Sequence, residues 1–198
     1  MISPHTTGEI LGFCRAVLSL PAHLSGCVVE AGSYKGSSTA KFSIAAHLAG
    51  RRLVACDSFA GLPSFDEQHG LSITGRQLVF NEGDFVGSMD EVRAAVERFG
   101  IPGVCSYVPG WFEESLPAWR EPIAALYLDV DLAASTRTCL KHLYPWVSPG
   151  GWVFSQDGHV PLVLDVFKDK VFWNDELGVD PPVIDGMGRQ KLIGFRKQ

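Results

Sequence analysis

The sequence lacks long apolar runs and blocks of basic residues. No apolar stretch approaches the roughly eighteen residues that a membrane-spanning helix needs, and its 17 lysines and arginines are scattered singly. The formal net charge of -5 is mild, so the sequence offers no basic footprint for nucleic acid or an anionic membrane. We therefore expect neither nucleic acid nor a membrane as a partner.

The amino terminus lacks the basic, apolar and small-residue succession of a secretory signal, which makes the cytoplasm the expected compartment. Paired cysteine motifs are also missing. The five cysteines are widely spaced, odd in number and surrounded by apolar residues, so we expect small buried apolar side chains rather than a catalytic cysteine. They are Cys14, Cys27, Cys56, Cys105 and Cys139.

Internal repeats, low-complexity tracts and linkers are absent as well. The 198 residues, 46% of them hydrophobic, are enough for one well-buried core and too few for two comfortable ones. We expect a single domain over residues 1–198, and self-association into a homo-oligomer stays open.

Short apolar strands alternate with helical patterns along most of the chain. Strands that are apolar on both faces and separated by helices require a mostly parallel sheet covered by helices on both sides. The sequence therefore predicts a doubly wound, Rossmann-like α/β fold. The predicted strands span 27–31, 52–57, 104–108, 123–129 and 151–157, and the predicted helices span 8–20, 37–50, 88–100 and 135–146.

Several local signals refine this outline. Ser37 is a plausible N-cap, and Ser88 with Glu91 forms a capping box. At the carboxyl terminus, residues 181–185 and 190–197 flank the turn GMGR, which predicts an antiparallel hairpin at the edge of the sheet. The segment 58–87 is far longer than an ordinary loop, and we interpret it as a functional lid.

The stretch VVEAGSYKG, residues 28–36, predicts a ligand-binding turn after the first strand. Gly32 would allow close backbone approach, and Gly36 would allow the next helix to pack tightly on the strand. The dinucleotide fingerprint is incomplete, however, because Tyr34 stands where it requires a glycine. Glu30 ahead of the turn disfavours a pyrophosphate and favours a cationic group.

Asp57 ends the second strand, where a carboxylate can accept hydrogen bonds from both hydroxyls of a ribose. A ribose combined with a positive charge indicates S-adenosylmethionine as the ligand. The alternatives are a nicotinamide-linked oxidoreductase of the same fold and a catalytically silent ligand-binding scaffold. For Glu30 and Asp57 themselves, the alternative is a solvated acidic residue at a strand end.

Six strings occur in one order along the chain: VVEAGSYKGSST, CDSFAGLP, EGDFVGS, VPGWFEESLP, LYLDVDLAAST and LYPWVSPGGWVFSQDG. Together, over about residues 26–158, they resemble the macrocin O-methyltransferase family, class I enzymes that methylate sugar hydroxyls on antibiotics. The resemblance implies an S-adenosylmethionine-dependent O-methyltransferase. Its acceptor would be a small polyhydroxylated molecule such as a secondary-metabolite sugar.

The resemblance also implies a set of site residues. The residues that would hold the cofactor are Glu30, Gly32, Gly36, Asp57, Ser58, Gly110, Trp111 and Phe112. The last three would flank the adenine, although packing in the core is an equal alternative for Trp111.

Family members carry a histidine in the lid, which makes His69 the candidate general base and His159 its competitor. His69 could instead be an ordinary exposed loop residue. The remaining histidines, His5, His23, His47 and His142, are expected to have no role in the reaction.

Asp129 and Asp157 each close a strand, and neighbouring parallel strands lie about 4.8 Å apart. Their carboxylates could hold Mg²⁺, which would lower the pKa of the acceptor hydroxyl and place Asp129 among the catalytic residues. The family carries an Asp-Asp pair where this chain has Gln156 and Asp157, so Gln156 would be a third, uncharged ligand. Asp131 is either a supporting partner of the metal site or a helix amino-terminal residue.

Overall fold

The structure is a computed structural model that describes residues 5–198. In this part of the chain six strands form a sheet in the order β3-β2-β1-β4-β5-β6, parallel except for β6, which runs antiparallel to β5. The strands are β1 (Cys27–Ala31), β2 (Leu53–Asp57), β3 (Cys105–Pro109), β4 (Ile123–Leu128), β5 (Val147–Ser155) and β6 (Ile193–Arg196).

Helices cover both faces of this sheet, which confirms the predicted fold class. They are α1 (Thr7–Leu18), α2 (Ser37–Leu48), α3 (Met89–Phe99), α4 (Phe112–Ser115), α5 (Ala133–Leu143) and α6 (Pro161–Lys168), with a π-helical turn at Phe172–Glu176. None of the helices within residues 5–198 has both the length and the apolar character to cross a membrane.

Two hydrophobic cores follow from the alternation of side chains along each strand. Val28 of β1 and Tyr127 of β4 pack under α1 and α2, whereas Val29 and Leu126 pack on the opposite face with α5 and α6. Burial of both faces explains why the parallel strands read as continuous apolar runs. The predicted burial of the cysteines is confirmed for Cys27, Cys56 and Cys139, and Cys14 and Cys105 are half-buried.

The antiparallel edge at the carboxyl terminus is confirmed, but the last strand has a different partner from the one expected. β6 pairs with β5, and residues 181–185 form no strand. Pro181 and Pro182 have no backbone N–H to donate, so this segment cannot extend a ladder on that side. The sequence analysis also missed α6 and the π-helical turn, which carry the chain from β5 round to β6.

The helix caps were predicted with mixed success. In the confirmed capping box of α3, Glu91 N donates to Ser88 Oγ at 3.2 Å and Ser88 N donates to Glu91 Oε2 at 2.9 Å. The prediction of Ser37 as N-cap of α2 was wrong. Gly36 caps the helix with φ 77°, and Ser37 is its first helical residue.

The two glycines of the turn after β1 are needed for different close contacts. A Cβ on Gly32, which has φ 86°, would lie 1.9 Å from the carbonyl oxygen of Asp129. A Cβ on Gly36 would lie 2.8 Å from the Cα of Val92 in α3. Gly36 therefore allows α3 to pack closely on this turn, whereas the sequence predicted that it allows the following helix to pack on the strand. Gly32 therefore fixes the approach of the β1 turn to the end of β4.

We predict that Gly32→Ala lowers the free energy of unfolding by more than about 3 kcal/mol, because backbone must move to admit the methyl group. Gly50→Ala is the matched control, since Gly50 has φ 66° and open space around it. That control should cost only about 1 kcal/mol for the left-handed backbone. Urea unfolding of both variants measures the difference, and equal losses would contradict the close contact at Gly32.

Candidate functional site

A cavity of about 280 Å³ lies at the carboxyl ends of β1, β2 and β4. The connection from β1 to β2 crosses one face of the sheet and that from β4 to β5 crosses the other, so this is the switch point where open α/β sheets bind ligands. Five of the eight residues predicted to hold the cofactor line it. They are Gly32, Asp57, Ser58, Trp111 and Phe112.

Asp57 joins the end of β2 to the turn after β1. Its Oδ2 accepts from Ser33 N at 2.6 Å and from Ser33 Oγ at 3.1 Å, and its Oδ1 accepts from Phe59 N at 2.7 Å. These bonds orient the carboxylate at the cavity wall. A carboxylate has about four acceptor positions, so Asp57 keeps capacity for further hydroxyl donors.

Glu30 lies elsewhere than the sequence analysis placed it. It is fully buried on the α1 and α2 side of the sheet and does not line the cavity. Burial raises the pKa of Glu30 to about 7, against the lowering effect of the Ser38 and Thr39 hydroxyls beside it. The alternation of side chains along β1 explains the difference, because residue 30 faces the layer opposite to residues 29 and 31.

Gly36 and Gly110 also lie outside the cavity lining. Gly36 packs against α3, as described above. Gly110 has φ 125°, and its N–H donates to the carbonyl of Asp57 at 3.0 Å. It therefore sets the backbone path that leads into Trp111 rather than contacting the cavity itself.

Aromatic side chains form one wall of the cavity. Trp111 and Phe112 come from the start of α4, and Tyr34 meets Phe85 of the lid edge-on with ring centroids 6.1 Å apart. The exposure of Trp111 to the cavity favours a ligand contact over core packing. Flat apolar surfaces of this kind can stack against a planar ring such as adenine.

The lid, residues 58–87, is irregular and covers the cavity. Its main anchor is Glu67, whose carboxylate accepts from Ala133 N at 3.0 Å and from Ala134 N at 2.7 Å. These are free N–H groups of the first turn of α5, and the N-cap residue Leu132 provides no side-chain bond of its own. A second tie joins Ile73 N to the carbonyl of His159 at 3.1 Å.

His69, the predicted general base, does not line the cavity. Its side chain is 4% exposed, its Nε2 lies 3.3 Å from Glu67 Oε2, and its ring packs against Phe80 with centroids 4.8 Å apart. His69 therefore supports the anchoring carboxylate of the lid. His159 does line the cavity, and burial lowers its pKa.

Three aspartates gather at the ends of β4 and β5. Asp129 and Asp131 line the cavity, and Asp131 has a left-handed backbone with φ 59°. Buried Asp157 accepts through Oδ2 from Val130 N and Asp131 N, both at 3.0 Å, and its Oδ1 has no partner. Desolvation, followed by repulsion between the carboxylates, raises the pKa of Asp131 and of Asp157 above the usual range.

The predicted magnesium ligands do not assemble as expected. Gln156 is fully buried outside the cavity, and its Oε1 accepts from Tyr127 Oη at 2.9 Å. Within residues 5–198, no group of three or more His, Cys, Asp or Glu side chains is arranged to hold a metal ion. The unpartnered Oδ1 of Asp157 suits a cation, but the set Asp129, Gln156 and Asp157 does not fit a three-ligand magnesium site.

Two basic residues near the aspartates were not predicted to belong to the site. His5 Nε2 lies 2.8 Å from Asp129 Oδ2, and Lys191 lines the cavity. His5 was expected to have no role, and Lys191 lay inside the predicted hairpin. No local signal in the sequence could have found them, because tertiary folding alone brings His5 to Asp129 and Lys191 to the cavity wall.

Solved structures share this architecture. The O-methyltransferase NovP superimposes with a TM-score of 0.75 at 24% identity, covering 96% of this chain and 78% of its own. CalS11, a calicheamicin methyltransferase, gives a TM-score of 0.66 at 22% identity over 98% of this chain and 80% of its own. The chain thus shares its fold with these two methyltransferases.

The family model for Macrocin-O-methyltransferase (TylF) matches residues 17–184. The chain belongs to the macrocin O-methyltransferase family, which confirms the resemblance found in the sequence.

Curated relatives agree with this assignment. The 8-demethyl-8-(2,3-dimethoxy-alpha-L-rhamnosyl)-tetracenomycin-C 4'-O-methyltransferase of Streptomyces olivaceus is 31% identical over 82% of this chain and 64% of its own length. Mycinamicin III 3''-O-methyltransferase of Micromonospora griseorubida is 28% identical over 81% of this chain and 65% of its own. The chain thus spans slightly less than two thirds of each of these relatives.

We predict that Glu67→Ala loosens the lid, because α5 loses its cap and residues 63–80 lose their main anchor. Hydrogen–deuterium exchange should be faster in that segment and at the first turn of α5. Glu82→Ala, at an exposed lid position, is the control and should leave both regions unchanged. Identical exchange in the two variants would show that Glu67 does not anchor the lid.

Proposed function

We propose that the chain is an S-adenosylmethionine-dependent O-methyltransferase that methylates a hydroxyl of a small polyhydroxylated acceptor, such as a secondary-metabolite sugar. The observation that carries the proposal is that five predicted cofactor residues line one cavity at the switch point of the sheet. The name of the Streptomyces olivaceus relative, an O-methyltransferase of a rhamnosyl-bearing tetracenomycin, supports a glycosylated acceptor. The nicotinamide-linked alternative has no support among the comparisons.

The cofactor would be held across the ends of β1 and β2. Asp57 would accept hydrogen bonds from the ribose hydroxyls, with Ser58 beside it, and Trp111 and Phe112 would contact the adenine. Gly32 would leave room for the backbone to approach the ligand. The carboxylates of Asp129 and Asp131 in the cavity lining would favour the positive charge of the sulfonium.

S-Adenosylmethionine, when bound, would supply the methyl group to the acceptor oxygen, with the bond from sulfur to the methyl carbon breaking to leave a neutral thioether. The proton of the acceptor hydroxyl would then pass to a base of this chain. We assign this role to Asp131, because its carboxylate lines the cavity at the end of β4, where an acceptor hydroxyl would react. His159 is the second candidate, and Asp129 stays beside the reacting groups, fixed by His5.

The sequence predicts magnesium assistance through Asp129 and Asp157, in which the metal would lower the pKa of the acceptor hydroxyl. The set Asp129, Gln156 and Asp157 does not fit a three-ligand magnesium site, so no step of the mechanism uses the metal. Because Gln156 is engaged by Tyr127 and lies outside the cavity, the proton transfer above is assigned to side chains of this chain alone.

We expect the chain to bind S-adenosylhomocysteine in calorimetry and to show no binding of NAD. Asp57→Ala should weaken S-adenosylhomocysteine binding by about 1–3 kcal/mol, because the charged hydrogen bonds to ribose are lost. Asp66→Ala, at an exposed lid carboxylate, should leave the affinity unchanged. Thermal unfolding checks that Asp57→Ala keeps its fold, since Asp57 also holds Ser33. An affinity equal to that of the wild type in Asp57→Ala would remove Asp57 from the cofactor site.

Replacement of the base should separate the three candidates. We expect Asp131→Asn to lower the rate of methyl transfer about 10²-fold to 10⁴-fold, whereas His69→Gln should stay within about tenfold of the wild type. The assay follows labelled methyl groups from S-adenosylmethionine to a panel of rhamnosylated and otherwise glycosylated small molecules. A larger loss in His69→Gln or His159→Gln would move the base to that histidine. Cofactor binding without transfer to any acceptor would favour the silent scaffold.

A further inference from the structure

The ends of β4 and β5 concentrate negative charge in a small volume. Asp129 and Asp131 line the same cavity, and the Oδ2 of Asp157 accepts from the backbone N–H groups of Val130 and Asp131, both at 3.0 Å. Carboxylates gathered in one partly buried site need a compensating positive charge or a proton. The predicted metal ligands do not fit such an ion, so the compensation must have another source.

His5 is the first source of compensation. Its Nε2 lies 2.8 Å from Asp129 Oδ2, and its side chain is only 3% exposed. The placement is fixed by the start of α1, where Thr6 and Glu9 form a capping box directly after His5. His5 therefore donates a hydrogen bond to Asp129, one of the two carboxylates predicted to hold magnesium.

Lys191 is the second source. Its carbonyl accepts from Gly158 N at 2.8 Å, and a Cβ on Gly158 would lie 2.7 Å from that same oxygen. The segment before β6 is thus held directly against the loop that follows Asp157. Among the described residues that line the cavity, Lys191 is the sole lysine or arginine. Its charge lowers the pKa of both Asp131 and Asp157.

The environment of Gln156 agrees with these contacts. Gln156 stands where the family carries a second aspartate, so the cluster has one carboxylate fewer. The amide oxygen accepts from Tyr127 Oη, and both side chains are fully buried. The position thus serves the α1 and α2 side of the sheet rather than an ion in the cavity.

We propose that His5 and Lys191 take the place of a divalent cation at Asp129, Asp131 and Asp157, and that they are the positioning residues of this cluster. His5 holds Asp129 by a hydrogen bond, and Lys191 supplies the positive charge. The inference rests on the proposed function in one respect: the cluster lies at the end of the cavity where that function places the methyl acceptor. A metal titration needs no methyl acceptor, so its failure is distinguishable from failure of the proposed function.

The test is binding of Mn²⁺, used as a spectroscopic probe for an oxygen-ligand site, to the full chain by calorimetry and electron paramagnetic resonance. We expect weak binding by the wild type and binding about tenfold or more tighter in Lys191→Met, because removal of the cation uncovers the carboxylates. Lys191→Arg keeps the charge and should bind as the wild type does. Lys168→Met is the matched control, since Lys168 is exposed and paired with Asp165.

A second variant keeps the test decisive if Lys191→Met does not fold. His5→Phe releases Asp129 and should also tighten Mn²⁺ binding, by about tenfold. Adding Gln156→Asp to Lys191→Met should tighten it further. Tight binding by the wild type, or an affinity that neither Lys191→Met nor His5→Phe raises, would overturn the proposal.

Discussion

The contact between Gly32 and the carbonyl of Asp129 is the constraint on which the site depends. It brings the turn after β1 against the end of β4 with no space for a side chain between them. Asp57 then holds that turn from the other side, through Ser33. This junction sets the shape of the cavity wall, the position of Asp129 and the backbone path toward Asp131. The turn is therefore required for the structure of the site, whether or not it also contacts a ligand.

The charged side chains that line the cavity are mostly acidic. Its described lining carries four acidic side chains, Asp57, Glu113, Asp129 and Asp131, against the single cation of Lys191. Under the proposed function, such a lining attracts the sulfonium of the cofactor more strongly than the neutral thioether of the product. The same charges that help to bind the cofactor therefore favour release of the product after methyl transfer.

The fold was predictable because its signals are local. Each of these signals spans only a few residues: the apolar strands, the helical periodicity, and the capping box of Ser88 and Glu91. The positions of Asp57 and Asp129 at the ends of predicted strands likewise indicated that they belong to the site. The errors concern side-chain direction and long-range contacts. Glu30 and Gln156 face the α1 and α2 layer, and His69 turns toward Glu67. His5 meets Asp129 across 124 positions of sequence, which no local pattern reports.

Four non-glycine residues in the described chain have left-handed backbones: Tyr34, Phe59, Phe85 and Asp131. Three of them line the cavity, and Phe59 follows Ser58, which also does. Each such conformation costs about 1–2 kcal/mol, which the rest of the fold must offset. The site is therefore built at the expense of stability. Selection for thermal stability alone would favour glycine or asparagine at these positions, and would relax the cavity while it strengthened the fold.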